Sequence, residues 1–190
     1  MQAACVACKA VRYPLVPSHG FQIDFDSLER LVTPKTKIMI INAPGNPTGV
    51  VFSRETIERI VKFVKKHDLF LISDEVYEEI IFEGNHISTG LYNDDGRIVS
   101  IFGFSKTYAV PGLRLGYTVC EEKLADLIAK LQTPLVSCPT SVSQKACLAA
   151  LEGPQQPVYD MLKVYRERRD VAIEILKNSG HYLYTPSGAF

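Results

Sequence analysis

Three short apolar runs of similar texture recur along the chain: Lys37 to Asn42 (KIMIIN), Leu69 to Ser73 (LFLIS) and Arg97 to Phe102 (RIVSIF). Apolar runs of this length, bounded by turn residues, suit strands covered on both faces, and such strands build parallel sheets. Between the first two lies a stretch from about Ser53 to His67 with Ile57, Ile60, Val61 and Val64 on one stripe and Ser53 as a cap, which predicts an amphipathic helix. Strands alternating with helices predict an α/β fold with a mostly parallel sheet flanked by helices.

The other segments extend this pattern. VRYPLVP reads as a short strand closed by Pro17, preceded by ten residues that read as a helix tail or a buried turn. A short helix ends at Leu31, with Asp26 as its cap and Glu29 completing a capping box. LRLGYTVC is a further strand, and Leu124 to Leu131 a helix. Pro134 and Pro139 bracket a loop before a helix over about Thr140 to Leu151.

Beyond Gly153-Pro154 one charged amphipathic helix spans Val158 to Asn178, with Met161, Leu162, Tyr165, Ala172, Ile175 and Leu176 as its apolar face. Arg166, Arg168 and Arg169 read as its solvated side. HYLYTPSGAF then begins a new strand-like piece. The organisation expected is a main domain over 1–156, a linking helix over 157–179 and the start of a second domain over 180–190.

Lys plus Arg equals Asp plus Glu at 21 each, so neither a nucleic-acid backbone nor an acidic membrane surface is an expected partner. Apolar runs such as Ile38 to Ile41 are too short to span a bilayer. The start, MQAACVACKAV, lacks a basic n-region and a long apolar stretch, which favours the cytoplasm. Cys5 and Cys8 have C-x-x-C spacing without further ligands nearby. A redox pair is one reading; small buried side chains in a reducing compartment is the simpler one, and no metal is expected.

In such sheets chemistry collects at the carboxyl ends of strands. KIMIIN leads to Asn46, LFLIS to Asp74 with Tyr77 three residues on, RIVSIF to Ser105-Lys106, and the fourth strand begins near Arg114. An aspartate after a strand is a cap as readily as a site residue, and a lone lysine is usually solvated. Together they offer an amine for an aldehyde, a carboxylate for a ring nitrogen, a phenol and an amide for a ring oxygen, and a guanidinium and a hydroxyl for a phosphate. These are the groups that pyridoxal phosphate requires of a protein.

The blocks INAPGNPTG (41–49), SDEVYEEI (73–80), GFSKTYAVPGLRLGY (103–117) and PSGAF (186–190) resemble the class I/II aminotransferase family, within the fold-type I pyridoxal-phosphate enzymes of the aspartate aminotransferase superfamily. The resemblance implies that Lys106 binds the cofactor aldehyde and, once freed by substrate, moves a proton. It implies that Asp74 pairs with the pyridine nitrogen, that Tyr77 and Asn46 bond the ring oxygen, and that Ser105 and Arg114 hold the phosphate. Asn46 gains a second implied role at the substrate carboxylate, while Pro47 and Gly49 shape its loop and Pro111-Gly112 turns the chain back to Arg114. The implied reaction transfers an amino group between an L-amino acid and a 2-oxo acid, in a chain that is a homodimer at full length.

Two departures accompany the resemblance. Gly103 stands where many members carry a hydroxyl that reaches the phosphate. Members also run to about twice this length, so this chain is expected to be a large cofactor-binding domain incomplete at both ends, with sheet edges and apolar faces left uncovered. A C–S lyase, an aminocyclopropane-carboxylate-synthase-like enzyme and a non-catalytic homologue share these cofactor residues. The style of the 103–117 block suggests aromatic or neutral amino acids as substrates. Tyr92, Tyr108 and the 87–91 stretch read as core or surface more readily than as pocket lining.

Overall fold

The computed structural model describes residues 6–189. A small antiparallel pair, β1 (Leu15–Val16) and β2 (Gln22–Ile23), precedes helix α1 (Phe25–Leu31). Next come β3 (Ile38–Asn42), α2 (Arg54–Lys66), β4 (Phe70–Asp74), β5 (Ile98–Gly103), the single turn α3 (Phe104–Thr107) and β6 (Gly116–Val119). Three further helices follow: α4 (Glu122–Val136), α5 (Ser141–Glu152) and α6 (Gln156–Ser179).

The main sheet has the order β3-β4-β5-β6. β3 and β4 pair in parallel from Ile38↔Phe70 to Asn42↔Asp74, and β4 and β5 from Leu71↔Ile98 to Asp74↔Ile101. β6 closes the edge antiparallel to β5. Parallel pairing puts the carboxyl ends of β3, β4 and β5 at one edge, so Asn42, Asp74 and the chain leaving Gly103 come together there.

One face of the sheet is the core. Met39, Ile41 and Leu71 alternate with outward neighbours and meet Ile57, Ile60, Val61 and Val64 of α2, all buried in one cluster. Burying each such side chain contributes about 1.5–3 kcal/mol. Ser53 starts α2 by accepting the Thr56 N–H at 3.2 Å. The opposite face differs from the expectation of two covered faces: Ile38, Ile40 and Phe70 are each half-exposed. Strand periodicity points these three away from α2. β5 is buried almost throughout.

Other boundaries move for local reasons. Asp24, not Asp26, caps α1, its Oδ1 accepting the N–H groups of Asp26 and Ser27 at 3.1 Å. Glu29 leaves the predicted capping box to pair with Lys66 and with His67 Nε2. α4 runs through Pro134 to Val136 rather than stopping at Leu131. α6 begins at Gln156 and ends at Ser179, capped by Gly180 in the left-handed region at φ 75°. Its apolar face is used at Leu162 and Tyr165, which pack on Tyr77, Ile80, Phe82 and Ala189, whereas Ile175 and Leu176 are exposed.

HYLYTPSGAF forms no strand among its described residues, only an isolated bridge from Gly188 to Ile81. Cys8 is exposed, against the buried reading, and Cys5 lies outside the described residues. Among the described residues no helix is long and apolar enough to cross a membrane.

Candidate active site

The loop after β3 folds back on its own strand. Asn42 Oδ1 accepts the Asn46 N–H at 2.9 Å, and the Asn42 amide and the Ala43 N–H both donate to the Asp74 carbonyl, at 3.3 and 3.2 Å. Both prolines flanking Gly45-Asn46, Pro44 and Pro47, follow cis peptide bonds. The exposed Asn46 side chain reaches across to β4's exit, where its Nδ2 donates to the Tyr77 hydroxyl at 2.8 Å.

Tyr77 is buried in the turn that follows Asp74. Lys106 Nζ stands over its ring, 5.6 Å from the centroid, a cation–π distance. Lys106 sits on α3, directly after β5, so the lysine reaches this edge because β5 is the neighbour of β4. Three of the predicted residues, Asn46, Tyr77 and Lys106, therefore share one cluster.

Asp74 ends β4 in register with Asn42 and Ile101. Burial pushes its carboxyl above the ordinary aspartate value, the Val76 N–H and the Asn42 amide pull it back, and neighbouring Glu75 adds to the rise. A partly desolvated carboxylate of this kind gains most from a cationic N–H partner.

Ser105 lies in α3 and Arg114 just ahead of β6, at the end where β5 and β6 pair. Gly103 pairs with Gly116, and the Phe104 N–H donates to the Leu115 carbonyl at 3.3 Å. The close pairing needs glycine at 116, since a Cβ there would lie 2.6 Å from the Phe102 carbonyl oxygen. Arg114 itself adopts a left-handed backbone at φ 52°, and its Nη1 donates to the Pro111 carbonyl at 3.0 Å. The Pro111-Gly112 turn thus holds the arginine locally. At Gly103 a side chain would meet Val76 at ordinary contact distance, so no steric demand explains that glycine.

Sequence reasoning missed Glu75, which is fully buried. Its Oε1 accepts Thr89 Oγ1 at 3.0 Å and Ser100 Oγ at 2.9 Å, and its Oε2 lies 2.7 Å from His86 Nε2. Burial alone would raise its pKa; hydrogen bonds from His86, Ser88 and Ser73 outweigh this and hold it below the ordinary glutamate value. The signal was available in the alternation Leu71, Ser73, Glu75, which carries the carboxylate inward. Tyr92, by contrast, is engaged outside the cluster, with its hydroxyl bonded to Arg54 and Glu58. Tyr108 bonds Gln155 at 3.1 Å, tying α3 to the start of α6.

An α/β sheet whose strand ends gather an amine, a carboxylate and a phenol–amide pair is the framework of the fold-type I enzymes. Known proteins agree. The sequence profile of the family "Aminotransferase class I and II" matches residues 2–190, and the chain belongs to that family. An aspartate aminotransferase of Thermotoga maritima is 39% identical over 175 residues, covering 91% of this chain and 45% of the relative. Aromatic-amino-acid aminotransferase 2 of Thermococcus litoralis is 37% identical over 186 residues, covering 96% and 48%. The crystal structure of an aromatic aminotransferase from Pyrococcus horikoshii superposes with a TM-score of 0.92 at 36% identity, covering 96% of this chain and 50% of that one. The fold is fold-type I, and the chain spans about half the length of the curated relatives it matches.

Proposed function

We propose that this chain carries the pyridoxal-phosphate site of an aminotransferase that moves an amino group between an L-amino acid and a 2-oxo acid. The observation that carries the reading is the cluster of Asn46, Tyr77 and Lys106, with Asp74 at the end of β4, three residues before Tyr77. The donor set fits the cofactor group for group. Lys106 answers an aldehyde, Asp74 a ring nitrogen, Tyr77 and Asn46 a ring oxygen, and Ser105 with Arg114 a phosphate.

When bound, pyridoxal phosphate supplies an electron sink for the bond broken at the substrate's α-carbon. The chain's own residues do the rest. Asp74, partly desolvated, would pair with the ring nitrogen and favour a proton there. Asn46 and Tyr77 donate to the ring oxygen and favour its anionic form. Ser105 and Arg114 anchor the phosphate, so the ring cannot shift between steps. Lys106 Nζ, poised over the Tyr77 ring, takes a proton from the α-carbon side and returns it as general base and then acid.

The same reading makes α6 the link from the cofactor-binding domain to a second domain, and the full-length form a homodimer, as the family resemblance implies. Its test is an amino-transfer assay with added pyridoxal phosphate, using aspartate and aromatic amino acids first because the relatives are named for them. Formation of the matching 2-oxo acid, dependent on cofactor and on Lys106, is expected. Its absence with every standard L-amino acid, despite bound cofactor, would refute the transferase reading.

A further inference from the structure

Residues Pro186 to Ala189 and Arg169, read from sequence as a strand start and a solvated side chain, are instead tied into the site's supports. The Gly49 carbonyl accepts the N–H groups of Ser187 at 2.9 Å and Gly188 at 3.0 Å. The Ser187 carbonyl accepts those of Phe82 at 2.8 Å and Glu83 at 3.1 Å, and the Ala189 N–H donates to the Ile80 carbonyl at 2.8 Å. Gly49 lies three residues after Asn46, and Ile80 three after Tyr77. The segment therefore bridges the two loops whose side chains meet in the Asn46–Tyr77 hydrogen bond.

The fit excludes side chains at two points. A Cβ at Gly188 would lie 2.9 Å from the Ile80 carbonyl oxygen and 2.8 Å from Val51 Cγ2. Gly49 has φ +68°, and a Cβ there would collide with Pro186. Arg169 locks the segment from α6. Its Nη1 donates to the Pro186 carbonyl and to Glu83 Oε1, both at 3.0 Å, and its guanidinium stacks 5.0 Å from the Phe82 ring centroid. Arg166 Nη2 adds a bond to the Phe82 carbonyl at 2.7 Å.

We infer that Pro186–Ala189, locked by Arg169, is a positioning clasp that sets the Asn46–Tyr77 contact, and so tunes the site, without itself touching the cofactor. Arg169 is a positioning residue, because its partners are Glu83, Phe82 and the Pro186 carbonyl, which hold the two loops, and not Asn46 or Tyr77. The tuning part rests on the pyridoxal-phosphate reading of that contact; the clasp does not.

Amide hydrogen exchange on the full chain without cofactor tests the clasp, comparing wild type with Arg169→Met and the milder Glu83→Ala. The amides of Phe82, Glu83, Ser187 and Gly188 should exchange about tenfold faster in Arg169→Met, the scale of losing one charge-assisted bond, and roughly threefold faster in Glu83→Ala. Leu71 and Ile72 in β4 should be unchanged. Unchanged rates at the four amides, or equal acceleration in β4, overturns the clasp.

A second readout tests the tuning. With pyridoxal phosphate added, the pH midpoint of the visible absorbance band should rise in Arg169→Met, because donors at the ring oxygen favour its anion and a loosened pair favours it less. Faster exchange with an unmoved midpoint overturns the positioning role. If wild type shows no band, the cofactor reading fails, while the exchange rates still decide the clasp.

Discussion

The Asn46 amide donates to the Tyr77 hydroxyl at 2.8 Å across 31 residues of chain. This one bond joins the loop after β3 to the turn after β4, the two strand exits that any ligand at this edge must face. Tyr77 is buried and Asn46 exposed, so the bond ties an interior side chain to a surface one. Tyr77→Phe should keep the packing and lose the bond, weakening pyridoxal-phosphate binding about three- to tenfold, the range of one neutral hydrogen bond. Equilibrium titration of the cofactor measures this; unchanged affinity would remove Tyr77 from the site.

Glu75 makes a stronger prediction about stability. Replacing it with leucine leaves Thr89, Ser100 and His86 without their buried acceptor. A loss of about 3–5 kcal/mol is expected, as when one partner of a buried pair is removed. Urea unfolding would report it. Because the native carboxyl titrates below its unfolded value, its contribution is present above the unfolded pKa and lost as pH falls through the native one.

Glu78 works in the opposite direction. Burial, then the charge of Glu79, raises its carboxyl to about 7, with Glu75 adding to the rise and His86 opposing it. The native state therefore holds a proton that the unfolded chain gives up earlier. Its stabilisation is full below the unfolded value near 4.5 and lost as pH rises through about 7. Glu78→Gln should flatten that decline by about 1–2 kcal/mol, after allowance for solvent screening. Stability measured from pH 5 to 8 checks it, and identical slopes in both proteins would contradict it.

Thr107, beside Lys106, buries a hydroxyl that has no hydrogen-bond partner among the described residues. Thr107→Val removes the orphaned group with almost no change in shape. A gain of about 1 kcal/mol in unfolding free energy is expected. A loss of similar size would mean that the hydroxyl has a bound-water partner.

Much of this was legible in the sequence where local pattern and long-range demand coincide. β3, β4, β5 and α2 stand where apolar runs and one helical stripe placed them, and parallel strand ends then gather Asn46, Tyr77 and Lys106. What escaped was decided by three-dimensional neighbours. Ile38, Ile40 and Phe70 belong to buried-looking runs, yet only one face of those strands meets α2. Asp26 reads as the cap of α1 from the sequence, but the helix starts at Phe25, which makes Asp24 the cap. Arg169 looks solvated because its partners, Glu83 and the Pro186 carbonyl, lie on either side of it far along the chain or across a turn. Glu75 was hidden by its neighbour Asp74, since two carboxylates in a row suggest a polar loop rather than one inward and one outward side chain.

The most direct test of the central claim is the absorbance spectrum of the chain with pyridoxal phosphate, before and after borohydride, with Lys106→Ala alongside. The account predicts a visible or near-ultraviolet band in wild type that borohydride abolishes and fixes covalently at Lys106, and no such band in the variant. A band of equal strength in Lys106→Ala, or reduction that fixes the cofactor at another lysine, would contradict it.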